Sequence, residues 1–134
     1  MADHCVSYGY TKTLAGVSFE DTVQRTTEAL KKEGFGVLTT IDVQATLKQK
    51  LNADFRRYVI LGACNPALAQ RALEAELAVG LLLPCNVTVF EADDGRMVVQ
   101  MVKPGSMFEL VKRPELEPIA LEADQRLSRA LAAL

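Results

Sequence analysis

Tryptophan is absent from this chain, and five phenylalanines and three tyrosines supply all its large aromatic side chains. Proteins that hold single-stranded nucleic acid stack bases on such rings beside a basic groove. Neither half of that device is present. No run of Lys or Arg exceeds two, the two signs are interspersed, and the net charge is -2. Nucleic acid and anionic membrane surfaces are therefore not expected partners. Long apolar runs are also missing. The stretch from Leu77 to Cys85 is interrupted by Gly80 and Pro84, and it falls far short of the roughly 20 residues that a membrane helix needs. The Met1 region has no basic start followed by an apolar segment, so no signal peptide is expected and the expected compartment is the cytoplasm. Cysteine is scarce and odd in number, at three. That argues against a disulfide framework and predicts free thiols.

Several chemistries lack their residues. With one histidine and no Cys-x-x-Cys pair, a metal site has little to draw on, and no cofactor is expected. His4 and Cys5 would join the other cysteines only if the first strand lay beside them; a frayed end and an edge strand is the plainer reading. Gly34 and Gly36 flank Phe35 but follow a helix, where they stop an element and do not cradle phosphate. There is no Gly-x-Ser-x-Gly elbow, and the lone His4 gives no Cys-His dyad. Asp93 and Asp94 are accounted for by a turn. No catalytic constellation is recognisable, which leaves open whether the protein is an enzyme.

What is present is an ordinary globular balance, 49% apolar and 24% charged. It fits one domain over residues 1–134, long enough to bury roughly two thirds of its unfolded surface. Alternation of polar and apolar residues predicts a strand at Cys5–Ala15. Ser18 is an N-cap with Asp21 three residues on, and Phe19, Val23, Thr26 and Leu30 share a helical face that ends at Gly34. Phe35–Asp42 reads as a strand and Val43–Leu51 as a short helix capped by Asp42, followed by a turn at 52–54. Tyr58–Ala63 is apolar throughout and predicts a buried central strand. A helix capped by Asn65, with Pro66 in its first turn, then runs to about Leu77. Leu81–Leu83 reads as extended and buried. Asp94-Gly95 between Val87–Ala92 and Arg96–Lys103 is a strong hairpin signal. Met107–Lys112 reads equally as strand or loop. A last helix from near Pro114 carries Ile119, Ala123, Leu127, Leu131 and Leu134 on one face. Helices beside a sheet that contains a tight hairpin predict an α+β fold, the helices packed on one face of a mainly antiparallel sheet.

Two phrases stand out, LGACNP at Leu61–Pro66 and LLLPCNV at Leu81–Val87. Cys64 precedes a helix N-cap, where backbone N–H groups and the helix dipole converge and lower a thiol pKa. If Leu81–Leu83 ran beside Tyr58–Ala63 in the same direction, Cys85 would reach the same edge as Cys64. The candidate ligand-binding residues are therefore Cys64, Asn65, Pro66, Cys85 and Asn86. Three uses compete with simple space-filling at strand ends: a pocket for a small molecule or partner, a thiol pair with Cys64 as nucleophile and Cys85 as resolving thiol, and a soft-metal site on the two sulfurs.

The same phrases carry a resemblance. GACNP at Gly62–Pro66, LLLPCNV at Leu81–Val87 and EGFGVLTTIDVQATLK at Glu33–Lys48 are similar to the family known as domain of unknown function 302. The likeness extends from about Ser18 to Met107. It implies a compact α+β fold of the TATA-binding-protein-like type, with a curved antiparallel sheet, often seen as a homodimer. It implies no reaction and no catalytic residues. The expected protein is a cytoplasmic homodimer that binds a small molecule or a partner near Cys64 and Cys85. Its dimer interface would come from an exposed part of the last helix or from Met107–Phe108, since a large exposed apolar patch is a liability on a monomer.

Overall fold

A computed structural model describes residues 4–134. It is an α+β domain built on one five-stranded sheet. The strands are β1 (Gly9–Leu14), β2 (Gly36–Asp42), β3 (Tyr58–Cys64), β4 (Cys85–Glu91) and β5 (Met97–Val102). Their spatial order is β1-β5-β4-β3-β2, and every neighbouring pair is antiparallel. The helices are α1 (Phe19–Lys32), α2 (Val43–Leu51), α3 (Pro66–Ala75), α4 (Pro104–Phe108) and α5 (Glu117–Ala132).

Local chemistry places these elements. Ser18 Oγ accepts from the Asp21 N–H at 3.1 Å, and Asp42 Oδ1 accepts from the Ala45 N–H at 2.9 Å. Each cap satisfies one of the donors that a helix start leaves unpaired. Thr22 and Thr26 are fully buried within α1, yet their hydroxyls donate back to Ser18 O and Thr22 O, both at 2.7 Å. Their burial leaves no polar group unsatisfied. Asp94-Gly95 turns the β4–β5 hairpin with Gly95 at φ +85°, a left-handed conformation that favours glycine.

One face of the sheet is covered by helices. Val59, Leu61, Val87, Val89, Val99 and Met101 point to it and pack with Phe19 and Leu30 of α1, Leu68 and Ala72 of α3, and Ile119, Ala123 and Leu127 of α5. The other face carries a small cluster of Phe90, Ala92 and Val98 beside Tyr58. Tyr58 and Phe90 stack at 5.2 Å, and the His4 ring meets Phe90 edge-on at 5.3 Å. Among the described residues no helix is long and apolar enough to cross a membrane.

Four expectations are corrected. Leu81–Leu83 is not a buried extended segment: Leu77–Leu82 form a 3-10 helix, and Leu81 is 89% exposed. The connection from α3 to β4 reverses the chain through that 3-10 helix, which takes up 6 of its residues and leaves no strand there. For the same reason α3 stops at Ala75 and leaves Leu77 in solvent. Residues 104–108, with Pro104 in the first turn, form α4, and a turn follows. Finally, β1 begins at Gly9, so Cys5 lies outside it, exposed. As an edge strand, β1 is separated from β3 by β5 and β4.

Candidate functional site

The C-terminal end of β3 and the start of β4 form the floor of an open cavity of about 430 Å3. The β3–β4 register sets Ala63 opposite Cys85, and on its other side β3 pairs Cys64 with Gly36 of β2. Cys64 and Cys85 thus reach the same place, through an antiparallel pairing and not through the parallel run that the sequence suggested. Gly62 makes the junction possible. A side chain there would collide with Thr39 Oγ1 and would lie 2.9 Å from Pro84 Cγ.

Each wall comes from a different element. Leu68, Ala69, Ala72 and Leu73 of α3 form one side, and Ile119 and Ala123 of α5 another. Pro104 and Phe108 of α4, Leu83 and Pro84, and Phe35, Leu38 and Thr39 at the start of β2 complete it. Among the described residues no Asp, Glu, Lys or Arg lines the cavity. Its polar groups are the two thiols, the Thr39 hydroxyl and the Asn65 amide. Apolar cavities of a few hundred Å3 with a few fixed polar groups are the usual form of a small-molecule site.

Of the five candidate residues, Cys64, Asn65 and Cys85 line this cavity. Asn65 caps α3, its Oδ1 accepting from the Leu68 N–H at 3.2 Å. Pro66 is exposed in the first turn and lies outside the lining. Asn86 is exposed on β4 opposite Gly62 and borders a smaller neighbouring cavity of about 130 Å3, which also touches Cys85.

Burial pushes the Cys85 thiol up to about 11, and the neighbouring Cys64 and Asp124 push it in the same direction. Near neutral pH Cys85 is therefore a protonated, weakly nucleophilic thiol. Asp124, on α5, is the residue that sequence reasoning missed. Burial raises its carboxyl pKa, against the opposing pull of the Gly105 N–H, the Tyr10 hydroxyl and the Lys103 ammonium. Its Oδ1 is buried with no hydrogen-bond partner among the described residues. A polar residue among Ala120, Ala123 and Leu127 on a buried helix face was the available signal. Among the described residues no group of three His, Cys, Asp or Glu side chains gathers to hold a metal ion.

Comparison with known proteins supplies a family. The family model described as Domain of unknown function DUF302 matches residues 10–134. The crystal structure of an uncharacterized conserved DUF302 protein from Bacillus stearothermophilus is similar, with a TM-score of 0.87 and 35% identity, covering 96% of this chain and 98% of that one. An uncharacterized protein of Aquifex aeolicus (strain VF5) is 24% identical over 125 residues, which is 91% of this chain and 81% of the relative. This chain belongs to the DUF302 family.

Proposed function

We propose that this DUF302 protein is a cytoplasmic binding module that takes up a small apolar molecule in the cavity at Cys64 and Cys85. The observation that carries this reading is the cavity itself: about 430 Å3, walled almost wholly by carbon, with its few polar groups supplied by β2, β3, the start of β4 and the cap of α3. An apolar hollow of this size forfeits packing that the rest of the core has, and a ligand would supply it. Titration with the neutral fluorophore N-phenylnaphthylamine tests it. Saturable one-to-one binding that Ala69→Phe abolishes, in a variant that still unfolds cooperatively, is the expected result. An unsaturable signal that Ala69→Phe leaves unchanged would sink the reading.

The proposal includes a homodimer. The exposed part of α5 offers Leu121 as its large apolar side chain, and Phe108 walls the cavity. The opposite margin is better supplied. Helix α2 buries none of its residues, and Leu38, Ile41, Leu51 and Phe55 stand exposed around it and along β2. β2 is an edge strand whose outer N–H and C=O groups can pair with a second β2 about a two-fold axis. Light scattering should give twice the chain mass, and Ile41→Lys should give one chain mass; a monomeric wild type would remove this part of the proposal.

A second reading is favoured by the β3–β4 register, which pairs Cys85 with Ala63, the residue before Cys64, in one cavity lining: a thiol pair with Cys64 as nucleophile and Cys85 as resolving thiol. The high pKa of Cys85 opposes it, since a resolving thiol must ionise. Alkylation of each cysteine followed against pH by mass spectrometry decides. Labelling of Cys64 well below the usual thiol range of about 8.5 would support redox chemistry; protection of both cysteines until unfolding would remove it.

A further inference from the structure

We propose that the cavity selects an uncharged, hydrocarbon-bodied molecule carrying one hydrogen-bond acceptor, and that the Asn65 side-chain amide is the group that reads the acceptor. This inference rests on the binding reading above and names its ligand class.

A backbone N–H donates only to an acceptor, so the 3.2 Å contact from the Leu68 N–H fixes which end of the amide is oxygen. Asn65 Oδ1 is committed to α3, and Nδ2 is the end left over. Nδ2 lies 2.9 Å from where a Cβ on Gly34 would stand, so the amide packs into the space that this glycine leaves. No acceptor among the described residues engages it. A donor amide at the edge of an apolar cavity is suited to a carbonyl, ether or hydroxyl oxygen. Thr39 adds a hydroxyl to the same lining.

The rest of the lining excludes charge. A carboxylate entering here would lose water and meet no counter-ion, because among the described residues no charged side chain lines the cavity; an ammonium would lose water as well, with only Asp124, behind Cys85 and outside the lining, to offset it. Cys85 reports the same condition, holding its proton to about 11 chiefly because burial disfavours the thiolate. The volume is ample for a chain of about ten carbons or a pair of fused rings, within the usual range of ligand pockets.

The test is competition against bound N-phenylnaphthylamine at neutral pH, using methyl octyl ketone, decanoate and decylamine, which share similar hydrocarbon bodies. The ketone is expected to displace the dye at a concentration at least about tenfold lower than either ion, given the cost of burying a charge. Asn65→Asp keeps an oxygen for the Leu68 N–H and removes the donor. It should weaken ketone binding by up to about tenfold, the worth of one neutral hydrogen bond, and improve decylamine. Asn65→Ser also keeps the cap but withdraws the reach, and should weaken the ketone to a similar degree. Decanoate competing as well as the ketone, or both Asn65 variants leaving ketone binding intact, would overturn the inference while the dye still binds. Failure of the wild-type protein to bind the dye at all would instead bring down the binding reading on which it rests.

Discussion

One core runs beneath the sheet, and its two ends are built differently. Under β4 and β5 the side chains are large and closed: Val87, Val89, Val99, Met101 and Leu127 have no exposed surface. Where β3 ends and β4 begins, Ala63, Ala69, Ala72, Gly80 and Ala123 stand around about 430 Å3 of open space. Both ends are apolar, and leucine and phenylalanine line the hollow too, so the contrast is one of how closely the side chains meet and not of hydrophobicity. Stability and the candidate site are thereby separated within a single layer: the full end holds the sheet to α1 and α5, and the hollow end leaves room between α3 and α5.

The largest effect that sharpens this contrast is expected at the full end. Leu127→Ala should cost about 2–5 kcal/mol, because a closed site loses both the transfer energy and the contacts around the new void. Leu68→Ala borders a space that already exists, so it creates less new void and should fall at or below the low end of that range. Urea denaturation of the two variants measures the difference. Equal losses would mean that the two ends are packed alike.

The next effect uses pH to read the hollow end. The folded state holds the Cys85 proton to about 11, against an ordinary value of 9.0. Between those values the unfolded state binds fewer protons, so stability falls as pH rises through the window, by at most about 3 kcal/mol at about 1.4 kcal/mol per unit. Cys85→Ala should remove that part of the alkaline slope. Denaturation midpoints of wild type and variant, compared from pH 8 upward, check it, and parallel slopes would mean that Cys85 is not shielded. Asp124 acts in the same sense at lower pH. Its raised carboxyl pKa costs stability as pH climbs from the usual carboxylate range through the folded value, and Asp124→Asn should flatten that portion.

The elements were largely legible in the sequence, at both ends of the core, and the hollow between them only in fragments. Capped helices announce themselves locally, so α1, α2 and the start of α3 follow from Ser18, Asp42 and Asn65. The β4–β5 hairpin follows from Asp94-Gly95, and the α5 stripe from Ile119, Ala123 and Leu127. The cavity has no such signature. It is an absence of volume shared among β2, β3, α3, α4 and α5, and alanine at a core position reads the same whether its neighbour fills the gap or not. The leucines at 77 and 81 misled for a related reason. Apolar character usually signals burial, but the short 3-10 turn between α3 and β4 cannot face the core at every residue, and it leaves these two in solvent. The sequence offered a parallel run as the way for Cys85 to reach the edge that holds Cys64, whereas the antiparallel pairing observed depends on β4 starting at Cys85, a boundary that Pro84 marks and that the leucine run before it concealed.

The smallest expected effect is the most direct trial of the contrast, because one substitution is made at both ends. Ala130 is 1% exposed in α5 and lies outside the cavity lining. Ala130→Leu adds methylenes to filled space and should cost about 1–3 kcal/mol. Ala69 is half-buried on the cavity wall, and Ala69→Leu extends into the hollow, where the added carbons gain contacts without displacing any. Its change should lie within about 1 kcal/mol of zero, because filling an apolar hollow restores contacts that the hollow forfeits. Thermal and urea midpoints of both variants measure this, with dye titration alongside. If Ala69→Leu costs as much as Ala130→Leu, the hollow is not open in solution. If it is neutral and dye binding weakens, the space that stability does not need is the space that the ligand occupies.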